Sequence, residues 1–262
     1  MQLGLHGLSF SVFNPEKNKF IGLEAYSFDD LKDEKRIPAK LDMILNHNKW
    51  FAFPYKKVLS IYQNRYTTLI PAPLFDEKQK NLYLRFNHPV AENNITAFEK
   101  VKNIDAVNLF YLPKPVAEKV KNFWPNAVLG HFSTFFIDCL ALNFKNKLEK
   151  ETLFVNVNEH DFNVAVFSGN KLVLHNIFKF NTKEDFIYFL LATIEQLGYN
   201  PEILEVVLMG KIEKGDKLFI MIEQYIGNYR FVERNDNLEY SYLLDEVKPH
   251  KYYVLLNALQ CG

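Results

Sequence analysis

A chain of 262 residues with 31 basic and 31 acidic side chains is electrically balanced, and it is long enough to bury about three quarters of its unfolded surface in one large domain or two small ones. The balance removes the positive field expected of a nucleic-acid binder, and the basic clusters Lys32, Lys35, Arg36 and Lys145, Lys147, Lys150 read as solvated helix faces. Cys139 and Cys261 lack Cys-x-x-Cys spacing, no apolar run is long enough to span a bilayer, and no basic head precedes an apolar core, so a reduced, cytoplasmic protein without a transmembrane segment is expected.

Residues 3–28 predict a three-stranded opening with turns at His6-Gly7 and Asn14-Pro15-Glu16. Residues 29–36 read as a charged loop or helical turn, and Pro38 fits as the first residue of a helix whose apolar face is Leu41, Ile44 and Leu45. Trp50-Phe51-Ala52-Phe53-Pro54 is an aromatic knot, expected as core or domain packing in preference to an exposed docking patch. Strands are predicted at 57–62 and 65–70, a helix at 75–86, and two more strands at 95–101 and 106–112. Pro115 opens a helix to Trp124, 127–132 is a short strand, and Ser133 is placed to cap an apolar helix over 135–144.

The second half has the plainest grammar. Residues 153–157 and 162–167 are rich in β-branched and aromatic side chains, and Gly169-Asn170 is a tight-turn signal leading to a third strand that stops at Asn181. Thr182 followed by Asp185 is a variant capping box, and Phe186, Leu190, Ile194 and Leu197 form one stripe at helical spacing. Gly198 and Pro201 end that helix, and 203–209 is a nearly continuous apolar strand. Gly215-Asp216 then introduces a helix with Leu218, Ile222 and Tyr225 on one side, 229–233 a strand, and 238–244 a strand or irregular link. Pro249 starts a terminal helix carrying Tyr252, Leu255, Leu256 and Leu259.

The opening strands repeat in the second half. Leu8-Ser9-Phe10-Ser11-Val12-Phe13 can be laid over Phe162-Asn163-Val164-Ala165-Val166-Phe167, and residues 20–28 over 172–180, with only the turn differing in length.

Two halves that each begin with a hairpin and third strand, and then alternate helix and strand, resemble the duplicated α/β fold of actin, sugar kinases and heat-shock ATPases, a ribonuclease H-like architecture. Within that superfamily the chain is similar to type IV pilus assembly (PilM-like) proteins, and closer still to an uncharacterised bacterial domain-of-unknown-function family, DUF3822. The resemblance implies two mixed-sheet domains with a cleft between them, at 1–150 and 151–247, and a terminal helix at 248–262 packing back on the first.

Members that hydrolyse nucleotide carry Asp-x-Gly in each hairpin, because a carboxylate must hold the metal-bound water while backbone amides hold phosphates. Here Asn156 stands at the acid's place and Asn158 at the glycine's, while the first hairpin, Leu3-Gly4-Leu5-His6-Gly7-Leu8, has no acid. The adenosine pattern wants adjacent glycines after the late strand, and this chain has Met209-Gly210-Lys211. Ten glycines, roughly 4% against about 7% in average usage, leave little for phosphate cradles.

The corresponding phosphate and adenosine positions are therefore His6, Gly7, Asn156, Asn158 and Gly210, all departing from the family pattern. Glu159, His160 and Asp161 read as a solvated turn, and His131 near Ser133 or His88 before Pro89 as structural histidines. The expectation is a non-catalytic scaffold with protein partners, no catalytic or metal residues, no cofactor and a possible homo-oligomeric state. The alternative is a divergent ATPase or kinase using ATP and magnesium through Glu159, Asp161 or Glu205.

Overall fold

The computed structural model describes residues 1–28, 31, 33–90 and 92–261; Asp29, Asp30 and Lys32 of the expected charged turn lie outside the described residues. From Asp33 that turn is a short 3-10 segment, Glu34–Arg36, capped by the Asp33 carboxylate. The chain divides into two compact units, Met1–Asp138 with Ala258–Gly262, and Cys139–Asn257.

In the first unit β1 (Gln2–Gly4), β2 (Gly7–Asn14), β3 (Lys19–Ser27), α1 (Ile37–His47) and β4 (Leu59–Gln63) are followed by β5 (Thr67–Pro71), α2 (Lys80–Asn87), β6 (Asn94–Val101) and β7 (Ala106–Pro113). Then come α3 (Lys114–Phe123), β8 (Val128–His131) and α4 (Phe132–Asn143). The main sheet runs β3-β2-β1-β4-β8. Alternation on β2 sends Leu8, Phe10 and Val12 inward and Ser9 and Ser11 outward, so the strand buries one side only. That side meets Leu41 and Leu45 of α1 and Val116, Ala117 and Val120 of α3 in one core.

The second unit repeats the plan with β9 (Thr152–Val157), β10 (Asp161–Ser168), β11 (Lys171–Lys179), α5 (Lys183–Gln196), β12 (Glu205–Gly210), α6 (Lys217–Tyr225) and β13 (Tyr229–Phe231). It continues through β14 (Glu239–Tyr240) to α7 (Tyr253–Cys261). Its sheet runs β11-β10-β9-β12-β13, matching the first strand for strand. In both sheets the first three strands are antiparallel and the next two join in parallel.

The duplication reaches single residues. The register of β2 on β3 shifts between Val12 and Phe13, and that of β10 on β11 between Val166 and Phe167, the positions the repeat aligns. Beyond the bulge Phe13 pairs with Phe20 and Phe167 with Leu172. At the other end Phe28 N–H donates to the His6 carbonyl and Phe180 N–H to the His160 carbonyl, each at 3.1 Å. A bulge is a built feature that bends a strand, so its recurrence at matched residues marks two copies of one frame.

α5 shows why the second unit reads so clearly. Thr182 Oγ1 accepts the Asp185 N–H, the Asp185 side chain accepts back from Thr182 N–H, and Phe186, Leu190 and Ile194 are fully buried against the sheet. Each such side chain contributes about 1.5–3 kcal/mol on burial. Gly198 ends the helix at φ +73°, the left-handed value glycine adopts without strain.

The two copies differ by an insertion. Where the second unit passes from β12 to α6, the first places β5, α2, β6 and β7 between β4 and α3 as a separate antiparallel sheet ordered β5-β7-β6. This sheet has its own small core of Leu84, Val107, Leu109 and Tyr111. It is tied to α4 by a polar chain. Glu99 of β6 accepts from the His131 N–H at 3.0 Å and from the Thr134 hydroxyl at 2.7 Å, Asn108 of β7 donates to Thr134 at 2.9 Å, and Thr67 of β5 donates to Asn108 at 2.5 Å. On the next turns of α4, Asp138 accepts from the backbone and side chain of Asn103 at 2.7 and 2.9 Å.

Several expectations are corrected. Ser133 does not cap α4, because the helix already begins at Phe132; the Glu99 carboxylate lies at that N-terminus, where free amides and the helix dipole favour an anion. Ile203 is 65% exposed and precedes β12, since the chain is still turning over Asn200–Leu204. Tyr225 faces outward and Phe219 joins Ile222 inside. Pro249 opens a turn, and α7 starts at Tyr253. The helix expected over 75–86 begins only at Lys80, after a 3-10 turn capped by Asp76.

Burial raises the Glu99 pKa above its ordinary value of 4.5, and hydrogen bonds from Thr134 and the His131 amide pull it partly back. The folded state therefore holds a proton that the unfolded chain releases, and stability falls as pH rises from about 4.5 through the raised folded value. Urea denaturation across that window is expected to show the fall in the native chain and a smaller one in Glu99→Gln, with Glu34 and Asp138, also raised by burial, supplying the remainder. Glu99→Ala, which strands the His131 and Thr134 donors, is expected to cost about 1–3 kcal/mol.

Candidate functional site

The hairpin turns are where the resemblance to nucleotide-binding members places phosphate contacts, and each is a two-residue turn between antiparallel strands. β9 is buried along its whole length, so it admits a polar side chain only if that group is satisfied. Asn156, 5% exposed, meets the condition by donating to Asn158 Oδ1 at 3.1 Å, and Asn158 donates in turn to Asp161 Oδ1 at 2.6 Å. Asn158 N–H also donates to the Asp161 carbonyl at 2.9 Å, which leaves a two-residue turn of Glu159 and His160. Glu159 forms an ion pair with Lys211 at 2.9 Å, both side chains about half exposed.

Gly210 closes this turn from the β12 side. Its φ is +87°, and a Cβ there would run into the Val157 carbonyl. With no side chain in the way, Lys211 N–H donates to the Val157 oxygen at 2.7 Å and Gly210 N–H to the His250 carbonyl at 2.9 Å. The His250 ring lies 4.3 Å from that of Phe231, and burial holds its pKa below the usual value, opposed by a backbone hydrogen bond at Ile212. Gly210 is thus required by close packing of β12 on β9.

The first hairpin turns over Leu5 and His6, one residue earlier than the expected His6-Gly7, because Gly7 already pairs with Gly4. A Cβ on Gly7 would stand 2.6 Å from the Tyr26 carbonyl, so this glycine serves the β2–β3 approach. His6 is half-buried in the turn and gives its carbonyl to Phe28. Register carries Gln2 onto the position of Asn156: Leu3 pairs with Leu8 as Val157 pairs with Phe162. Gln2 donates to Gln63 Oε1 at 2.7 Å. Both hairpins therefore carry a hydrogen-bonded amide at the matched position. The sequence repeat begins at Leu8, so it does not extend to Gln2.

A magnesium–nucleotide does not fit this donor set. Magnesium asks for carboxylate ligands beside the phosphates, and the two matched positions present neutral amides. Asp161 and Glu159, the carboxylates nearest the second turn, are engaged by Asn158 and Lys211. Glu205 is held by Arg230 at 2.8 Å. His131 is fully buried, stacked on Phe110 with ring centroids 4.9 Å apart, with Nε2 3.2 Å from Asn64 Oδ1 and Nδ1 accepting the Ser133 N–H at 3.2 Å. His88 Nε2 lies 2.9 Å from the Thr67 carbonyl. Both are framework groups.

Residues 1–229 match the family described as "Protein of unknown function (DUF3822)". Among solved structures, a protein from Bacteroides thetaiotaomicron with an actin-like ATPase fold and unknown function is similar with a TM-score of 0.84 and 23% identity, covering 100% of this chain and 94% of that one. The PilM-PilN type IV pilus biogenesis complex is similar with a TM-score of 0.65 and 11% identity, covering 99% and 96%. No curated protein matches. The fold is thereby shown to be actin-like, and the expected mixed α/β architecture holds.

Gly210→Ala is expected to destabilise the protein by more than about 2 kcal/mol, combining a left-handed backbone for a residue with Cβ and a backbone collision. Gly169→Ala, also at positive φ but with open space around it, is the control and should lose clearly less in the same denaturation experiment.

Proposed function

We propose, from the premise that this chain belongs to the DUF3822 family, that it works as a partner-binding scaffold of actin-like fold and not as a nucleotide hydrolase. The observation that carries the reading is the pair of amides at matched hairpin positions, Gln2 and Asn156, each tied to a neighbouring side chain. Hydrolysis of a phosphoanhydride needs positioned metal and a carboxylate-held water. At the second turn the amides close the turn on itself, and in the first hairpin Gln2 is spent on Gln63 of the adjacent strand β4.

Two further observations support the same side. Gly210 is committed to backbone packing, which accounts for a glycine there without an adenosine ligand. The PilM-PilN structure pairs a protein of this fold with another protein, and a frame of this kind presents sheet edges and loops to which a partner can add. Among the described residues no helix is long and apolar enough to cross a membrane. His6, Gly7, Asn156, Asn158 and Gly210 are read accordingly as inherited positions that now serve the framework.

Calorimetric titration with magnesium-ATP is expected to give no binding heat. Thermal unfolding should be unchanged by the nucleotide, whereas a ligand at a hundredfold its Kd would add about 2.7 kcal/mol of stability. ATP hydrolysis that co-elutes with the folded protein and vanishes in Asn156→Ala would overturn the reading.

A further inference from the structure

The aromatic run after α1 splits into an inner and an outer part. Asn48 Oδ1 accepts the Trp50 N–H at 2.9 Å and caps a 3-10 turn over Lys49–Ala52, and Asn48 is itself held by Glu24 and Tyr26. The turn drives Phe51 inward, where its ring meets Phe10 at 4.4 Å and Trp124 at 6.1 Å. The next aromatic, Phe53, is left 60% exposed, so of the knot expected as core or domain packing Phe51 is fully buried, Trp50 packs partly buried against the core, and Phe53 stands outside. Tyr55 then folds back, its hydroxyl donating to the Trp50 carbonyl at 2.7 Å.

Between this run and the end of α3 opens a cavity of about 380 Å³ walled by Phe51, Phe53, Tyr55, Phe123 and Trp124. That size lies within the range of ligand-holding pockets, and aromatic walls favour an apolar or aromatic occupant. Phe51 and Trp124 are fixed by buried packing and Tyr55 by its hydrogen bond, so much of the wall is ordered before anything enters.

The exposed charges at the cavity are positive, while Glu24, the carboxylate whose charge reaches Tyr55, is tied to Asn48 and Tyr26. Lys56 lines the cavity, no carboxylate does, and Lys49 and Lys57 stand exposed at the two ends of the run. None of the three forms an ion pair among the described residues, in contrast to Lys119, which meets Asp42 at 2.8 Å. Unpaired ammoniums beside a low-dielectric wall attract anions and steer their approach. Only Lys56 lies at the cavity itself, with Lys49 and Lys57 beside it, and an occupant whose carboxylates flank its aromatic group, as along a peptide chain, matches that spread.

We propose that this cavity receives an aromatic side chain from an extended, acidic segment of a protein partner. The inference rests on the partner-binding reading above and adds a location and a chemistry to it.

Fluorescence anisotropy with a short labelled peptide carrying a central phenylalanine between aspartates tests it, with a lysine-flanked peptide as the opposite-charge probe. The acidic peptide is expected to bind, to weaken as salt rises, and to lose about tenfold or more in affinity in Phe53→Ala and in Lys56→Glu combined with Lys57→Glu. All three positions are exposed, so these variants are expected to fold, and their thermal unfolding is measured alongside. Absence of binding, equal binding of the two peptides, or unchanged affinity in both variants would overturn the assignment. Magnesium-ATP titration of the same sample separates the two failures: nucleotide binding defeats the scaffold reading, while a silent nucleotide with a silent peptide defeats only the cavity.

Discussion

Each unit depends on one seam, the parallel pairing of the hairpin's first strand with the strand that follows the first helix. In the second unit this seam runs along β9 and β12 from Glu205 opposite Thr152 to Gly210 opposite Val157, and β9 is covered on both faces. A strand in that position must be apolar or internally hydrogen-bonded, and Asn156 is the one long polar side chain it admits. At the end of the seam the backbone presses so closely that only glycine fits. The same closeness hands the Val157 carbonyl to Lys211 and brings the Lys211 ammonium to Glu159. The constraint that builds the sheet also engages the Gly210 and Lys211 amides, the Val157 carbonyl and the Glu159 carboxylate.

The first unit meets an equivalent demand with different residues. Gln2 and Gln63 take the place of the asparagine pair, and Tyr62 stands opposite Leu3 where Gly210 stands opposite Val157. The frame tolerates these changes because backbone pairing, which is indifferent to side chain, carries the register. What the two copies share is hydrogen-bond topology and a bulge; what they do not share is the chemistry at the turn.

Much of this was legible where local signals and tertiary demands agreed. Thr182 with Asp185, the stripe from Phe186 to Ile194 and Gly198 all act within one helix, and each did what its spacing implied. The alignment of Val12 with Val166 was visible because both strands obey the same alternation. The failures come from distance along the chain. Ser133 looked like a cap, but the carboxylate at the start of α4 is Glu99, from an inserted strand that no local pattern connects to it. Gln2 was hidden because one polar residue at a strand start carries no period. Phe53 was expected inside because composition does not say which side of a 3-10 turn a ring will take.

The inserted sheet has a consequence for how such a frame can vary. β4 and β8 are hydrogen-bonded neighbours, Leu59 against Val128, although the whole of β5 to α3 lies between them in the chain. Lengthening the connection between two fixed ends costs only about 0.6 kcal/mol of closure entropy for each doubling, so a folded module with its own core can be spliced there while the parent sheet keeps its pairing. Two descendants of one ancestral half can in this way become unequal in outline and in the surfaces they offer without any strand of the parent sheet being displaced.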